Sequence, residues 1–389
     1  MKPGKPITPP AWARNFLAWY CKPALLEDLE GDLHEVFERN VRTRGRRIAR
    51  IIYIIDVLKF LRPYTVRKPK VAGALNHFIM LTSYIKTSGR NILRNQLFSA
   101  INIFGLAISM AVGLILIGML YDLREYDRFH KNHDRIYRLT SRYHYLLSKF
   151  ENSPFATSSL KAAFEIKNTF PGVDDVAIFH RDFGGDFSFK DKTIPLSGMY
   201  ANEGVLSVFS FPLVQGNAET ALKEPFSVVL TEKSAKRIFG DTDVVGRTIV
   251  HNDGREWTVT GVMEDIPVFS HIRFDILGSL STRKITVEGQ DHEMAWDNIW
   301  ESWAYVLLKE ETNLDVFQKN LDALSEREDK TIEYAHVGLS LHPLAEIVGG
   351  EDQSNQIGPV VGSTVVKILV ALTVVVILSA CFNYTNLSI

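Results

Sequence analysis

A run of 25 uncharged residues, LFSAINIFGLAISMAVGLILIGMLY at 97–121, constrains this chain more than any other stretch. Coiled as a helix at ~1.5 Å per residue it is roughly 37 Å long, enough to cross a hydrocarbon core of ~30 Å with some tilt. A signal peptide has a shorter apolar region close to the first residue, whereas this run begins after 96 residues. A second uncharged run, 368–389, holds 22 residues rich in Val, Ile and Leu. Two membrane spans are therefore expected, and they divide the rest of the chain into 1–96 and 122–366.

The net formal charge of −1 conceals an asymmetry. Residues 1–96 carry 18 Lys/Arg against 7 Asp/Glu, a balance of +11, and the remainder carries 26 against 38, a balance of −12. Basic excess before the first span predicts residues 1–96 on the cytoplasmic side, where anionic lipid and the positive-inside bias act together, and 122–366 outside it. Close to the span the count runs the other way, with 3 Lys/Arg in the 20 residues before it and 5 in the 20 after. Those five are interleaved with acids, and long domains translocate largely regardless of charge. The two cysteines, Cys21 and Cys381, would lie in different compartments, so no disulfide is expected. The 245 residues of 122–366 must stand on their own apolar core, and they are enough to form one.

Three helices are expected before the first span. Trp12, Phe16, Trp19 and Tyr20 share one helical face; Leu26, Leu29, Leu33, Val36 and Phe37 repeat the spacing in a second helix that Pro23 can open. Gly45 breaks it, and 48–61 forms a third, more apolar helix, too short at 14 residues to span a bilayer. Acids cluster in the second helix, and 39–50 holds six arginines. Such a bundle suits a docking or lipid-facing module, or a small bundle with a solvated face. A linker is expected at 66–74, and 78–96 is amphipathic, with basic residues flanking an apolar stripe as in a helix lying in the membrane interface. Within the first span Gly105, Ser109 and Gly113 recur every four residues, a spacing that lets another helix approach closely.

Beyond residue 121 the pattern turns to mixed α/β. Strands are expected at 136–141, 176–183, 226–230, 257–262, 303–308 and 337–342, with helices at 158–170, 202–209, 232–239 and 314–325. Thr231 is placed to cap the helix at 232–239 and Gly240 to stop it. Gly261 inside a strand signals a bulge or a close backbone approach. The alternation is irregular and lacks a doubly wound glycine fingerprint, which points to an α+β ectodomain of two subdomains.

The chain offers little enzyme chemistry. His130, His133 and Asp134 would share a helical face as metal ligands, but Arg128, Lys131 and Arg135 surround them, and a capping or salt-bridged helix after the span fits as well. Ser270-His271 has no nucleophile elbow or identifiable partner. No G-x-x-x-x-G-K-[ST] motif occurs, so no ATP is expected through a P-loop. Catalytic, cofactor-binding and metal residues are all read as none, and no nucleic-acid partner is expected.

Three stretches carry a resemblance: YDRFHKNHDRIYRLT (126–140), SVVLTEKSAKRIFGDTDVVGRTI (227–249) and WTVTGVMEDIPVFSHIRFDIL (257–277). With INIFGLAISMAVGLILIGMLYD and LSACFNYTNLSI, they resemble the MacB/FtsX-like ABC transporter permeases over roughly 77–389. WARNFLAWYCKPALLEDLEGDLHEVFERN (12–40) and VLKFLRP (57–63) resemble the permease prefix domain that precedes some of them. The resemblance implies an α+β membrane protein divided as a helical prefix domain at 1–65, a linker and interfacial helix at 66–96, spans at 97–121 and 368–389, and a MacB-like periplasmic core domain at 122–366. It implies a non-catalytic permease subunit in the bacterial inner membrane, working with a separate ABC ATPase as a homodimer or with a duplicated second half. Membrane lipid and a periplasmic protein are its other implied partners. Four membrane helices are usual in that family, so the chain is expected to stop within the second, short of the loop on which ATPase contact largely depends. The rival reading is a membrane-anchored periplasmic sensor or scaffold, which would show a signalling helix or kinase motif beyond the second span.

Overall fold

The computed structural model describes residues 8–66, 71–94, 96–146, 154–287 and 290–388. They form two compact units, Met1–Ile101 and Asn102–Ile389.

The first unit opens with α1 (Ala11–Tyr20), α2 (Pro23–Arg44) and α3 (Arg46–Lys59). Pro23 occupies the first turn of α2, where its missing N–H costs nothing. Gly45, at φ +86°, makes the corner between α2 and α3. Ala13, Leu17 and Tyr20 of α1 meet Leu33 and Phe37 of α2 and Ala49, Tyr53 and Val57 of α3 in a shared core. The Tyr20 hydroxyl donates to the Val57 carbonyl at 2.7 Å. The aromatic face expected for α1 divides: Phe16 packs against the core, but Trp12 and Trp19 are exposed. Ala13, Leu17 and Tyr20 form a competing i, i+4, i+7 stripe, and that stripe is the buried one. Of the linker expected at 66–74, residues 67–70 lie outside the described residues and 71–74 already belong to α4 (Val71–Arg94).

The second unit follows from α5 (Gln96–Glu125), which carries the first span four residues past its expected end. Next come β1 (Ile136–Tyr145), β2 (Pro154–Phe155), α6 (Leu160–Thr169), β3 (Val173–His180), β4 (Gly185–Phe189), β5 (Lys192–Leu196) and β6 (Gly198–Ala201). The chain continues through α7 (Gly204–Val208), β7 (Leu213–Gly216), β8 (Ser227–Thr231), α8 (Glu232–Phe239), β9 (Thr248–His251), β10 (Glu256–Met263) and β11 (Ile276–Ser279). It closes with α9 (Arg283–Thr286), α10 (Gln290–Glu293), β12 (Ser302–Leu308), α11 (Leu314–Glu328), β13 (Ala335–Pro343) and α12 (Ser363–Ser388). α12 begins five residues before the expected second span and takes Lys367 into its early turns.

The strands pair in the order β13-β1-β12-β3-β6-β11-β8-β10-β9-β4-β5, with β2 on β1 and β7 on β10. One mixed sheet therefore replaces the two expected subdomains; β3–β6 and β6–β11 pairing carries it across the middle. Alternation along each strand sends side chains to opposite faces. On one face Val176 and Ile178 of β3 and Ala304 and Val306 of β12 lie under α6, while α8 packs on β5 and β8 and α11 on β13. On the other, Ala177, Phe179, Trp303 and Tyr305 join Phe209, Ile347 and Ile357, with Leu123 at the end of α5 packed against them. This second face receives the end of α5 and the segment that precedes α12.

Thr231 caps α8, its hydroxyl accepting from the Ser234 N–H at 3.3 Å, and Gly240 ends it at φ +78°. The register of β10 shifts between Val259 and Gly261, the bulge that Gly261 signalled. α5 and α12 are long and apolar enough to cross a membrane. Their contact runs along the small residues: a Cβ on Gly113 would sit 3.6 Å from Val376 Cγ1, and Asn383 Nδ2 donates to the Asn102 carbonyl at 2.9 Å.

Candidate functional site

The helical face expected to unite His130 and His133 does not form. α5 stops at Glu125, Asp127 turns left-handed at φ +59°, and its N–H donates to the Phe269 carbonyl at 2.8 Å. Asp tolerates this conformation better than most residues. Successive turns follow, and the two histidines diverge. His130 is buried against Phe209 and Phe211 and donates from Nδ1 to the Phe209 carbonyl. His133 points instead at the His130 carbonyl and at Asp134.

The Asp127 carboxylate has become the end of a buried polar chain. Its Oδ2 lies 2.7 Å from His271 Nδ1, and its Oδ1 accepts from the His271 N–H at 3.1 Å and the Ser270 hydroxyl at 3.2 Å. A carboxylate only accepts, so Nδ1 carries the shared proton. His271 Nε2 faces the Tyr305 hydroxyl at 2.7 Å. Tyr305 in β12 is the cross-strand partner of Arg138 in β1, which places guanidinium and phenol side by side. Arg138, with no exposed surface, donates to Gln353 Oε1 at 2.7 Å and to Gln356 Oε1 at 3.0 Å. The chain of bonds thus runs from the turn after α5 through the sheet to the segment that leads into α12.

Its electrostatics are those of a buried carboxylate and a buried guanidinium with two rings between them. Burial by itself raises the Asp127 carboxyl, but the charge of His271 and hydrogen bonds from it hold the group below the ordinary carboxylate value. Burial lowers the Arg138 guanidinium and the neighbouring Tyr305 partly restores it. Burial also pushes the Tyr305 phenol up, keeping it a hydroxyl. His130 is lowered to about 4, chiefly by burial, against the pull of Asp127. A neutral His130 ring is what its apolar surroundings require.

Asp127, His271 and Ser270 are the residue types of a hydrolytic triad, but their order is wrong for one. The serine hydroxyl bonds to the aspartate and to the Ile272 backbone, while the histidine nitrogen that would activate it faces Tyr305. All three are buried. The constellation holds segments together. Gly358, at φ +68°, presses its α-carbon against the His271 carbonyl, where any side chain would overlap.

A second cluster gathers His180, Glu293 and Glu301, with ligand atoms within 4.8 Å of one another. Here Arg283 supplies the positive charge: Nε donates to Glu293 Oε2 at 3.2 Å and Nη2 pairs with Oε1. His180 Nδ1 meets the Ser302 hydroxyl at 2.8 Å, and burial, then Arg283, lowers the ring to about 4.

The MacB-like periplasmic core domain family model matches residues 99–324, more than half of the chain. The chain belongs to this family of membrane permeases. No curated protein matches. Among solved structures, a permease-protein domain from Porphyromonas gingivalis is 23% identical at TM-score 0.49, covering 56% of this chain and 92% of its own. The periplasmic region of MacB from Actinobacillus actinomycetemcomitans is 16% identical at TM-score 0.36, covering 53% and 88%. The extracellular domain of the noncanonic ABC-type transporter YknZ from Gram-positive bacteria is 13% identical at TM-score 0.36, covering 52% and 98%. Within this MacB-like chain, two of the three family stretches meet in the buried network. YDRFH contributes Asp127 and His130, and SHI contributes Ser270 and His271. Arg138, Tyr305, Gln353 and Gln356 escaped sequence reasoning. The available signal was an arginine at the same strand parity as core residue Ile136.

Proposed function

We propose that this chain is the permease subunit of a MacB/FtsX-type ABC transporter, and that its Asp127–His271–Tyr305–Arg138 network passes motion from the membrane helices to the ectodomain. ATP hydrolysis belongs to a separate subunit, residues 1–96 face the cytoplasm and 122–366 the periplasm. The functional unit is a homodimer or includes a duplicated second half. One observation carries the reading: the turn after α5 and the segment that leads into α12 are bonded into the same buried network. A displacement of either one then moves a directional set of hydrogen bonds rather than a slippery apolar contact. The network transmits only if the two nucleotide states of the ATPase bias it differently.

The test is amide hydrogen exchange on the chain reconstituted in lipid with its ATPase subunit. Switching ATP for ADP is expected to change exchange at 126–135 and 352–358 together. Identical exchange at both segments in the two nucleotide states, with the ATPase bound, would overturn the coupling role. Topology is checked separately with single cysteines in place of Thr43 and Glu219, both exposed. An impermeant thiol reagent on intact spheroplasts is expected to label Glu219→Cys and spare Thr43→Cys.

A further inference from the structure

α3 has two opposed apolar faces. Ala49, Tyr53 and Val57, four residues apart, enter the core of the helical unit. Ile48, Ile51, Ile55 and Leu58, spaced three, four and three, fall on the opposite side of the helix. These four are 50%, 58%, 45% and 54% exposed. The helical unit leaves this second apolar stripe uncovered.

The charges gathered about the Gly45 corner, at the N-terminal end of α3, identify the cover. Arg42 and Arg44 at the end of α2 and Arg46, Arg47 and Arg50 at the start of α3 are all exposed. The ion pairs found in this unit among the described residues are Arg14–Glu30, His34–Glu38 and Lys59–Asp56, and they use none of the five. Asp56 is the single acid of α3, and Lys59 engages it at 3.0 Å. Guanidinium groups pair bidentately with phosphate. Phosphate alone would suit a nucleic acid, but a nucleic acid gives four exposed aliphatic side chains nothing to bury against. Phosphate and aliphatic surface together are the chemistry of a phospholipid bilayer at its headgroup boundary. At 14 residues α3 is too short to cross that bilayer, so it must lie in its plane.

We infer that α3 is a membrane-surface helix: Ile48, Ile51, Ile55 and Leu58 enter the acyl boundary while Arg42, Arg44, Arg46, Arg47 and Arg50 hold anionic lipid phosphates. The inference rests on membrane localisation through α5 and α12 and is independent of any ATPase.

The test places a nitroxide on Ile51→Cys, and for comparison on Glu35→Cys in acidic α2, in the full chain carrying Cys21→Ala and Cys381→Ala. The protein is reconstituted in vesicles containing phosphatidylglycerol or in purely zwitterionic ones. In the anionic vesicles the Ile51 label is expected to collide more with oxygen than with a water-soluble nickel complex, and the Glu35 label to show the reverse. Replacing Arg46, Arg47 and Arg50 by Ser, or omitting phosphatidylglycerol, is expected to shift the Ile51 label toward water. A label at Ile51 that stays aqueous in anionic vesicles overturns the inference. So does dipolar broadening between Ile51 labels, which would mean that a second copy covers this face.

Discussion

On one face of the ectodomain sheet, Phe317, Leu321 and Leu324 of α11 share an apolar core with Val337 and Leu339, with Gln318 donating to the Leu339 carbonyl at 2.8 Å beside it. On the other, Arg138 and Tyr305 project from adjacent strands into a chain of hydrogen bonds that ends on Asp127. The first kind of contact is non-directional and roughly proportional to area, so it tolerates small slides of a helix over the sheet. The second is directional, and its hydrogen bonds survive only over a narrow range of geometry. Only the second face receives α5 and the segment before α12. Packing holds the sheet together, and polar geometry holds it to the turn after α5 and the segment before α12.

The largest effect should come from removing the buried charge. Asp127→Ala leaves His271 and the Arg138 charge uncompensated and is expected to cost about 3–5 kcal/mol, read as a lowered denaturant midpoint of the detergent-solubilised chain. Leu321→Ala on the opposite face should cost about 3 kcal/mol by creating a cavity, without changing the exchange of 126–135. If Leu321→Ala loosens that segment as much as Asp127→Ala does, the two faces do not differ in the way described. Tyr305→Phe keeps the ring and removes the one hydroxyl between His271 and Arg138. It should cost about 2 kcal/mol as an unmet buried donor and acceptor.

Acid should act through the buried histidines. His130 holds its folded pKa at about 4, below the unfolded value, so between about pH 6.5 and 4 the unfolded chain binds more protons. Stability therefore rises with pH in this window and is lost on acidification, by on the order of 2 kcal/mol at pH 5 from His130. His180, also at about 4, adds a share of the same sign. A His130→Gln variant is expected to lose on the order of 2 kcal/mol less between pH 7 and 5, leaving the shares of His180 and of His342, which burial also lowers. An acid profile unchanged by His130→Gln would show that this ring is not kept neutral by its site.

How far the sequence could carry this structure depends on the range of the interactions. Uncharged runs, the Thr231 cap, the Gly240 stop and the β-branched or aromatic runs at β1, β8, β10 and β12 are local signals, and each is visible in a few neighbouring residues. The hairpin of β4 and β5 and the short strands β6 and β11 were hidden because Gly, Pro and Asp dilute their alternation, and distant partners hold them. His130 and His133 misled because i, i+3 spacing means a shared face only inside a helix, and the helix ends at Glu125. The network was illegible for a related reason. Asp127, His271 and Tyr305 come from separate elements, and no spacing announces that a sheet register sets Arg138 beside Tyr305. That two of the family stretches converge there became visible only with the fold.

If the turn after α5 and the segment before α12 share one buried network, a double-mutant cycle across it reads their coupling. Asp127→Asn and Arg138→Met, singly and together, are compared by denaturant unfolding of the full chain in detergent at neutral pH. Asp127 ends the chain of bonds on one side and Arg138 meets Gln353 and Gln356 on the other, with His271 and Tyr305 between them. The account predicts that the double variant costs less than the sum of the two single ones by about 1 kcal/mol or more. Additivity within about 0.5 kcal/mol, the behaviour of independent sites, would contradict it.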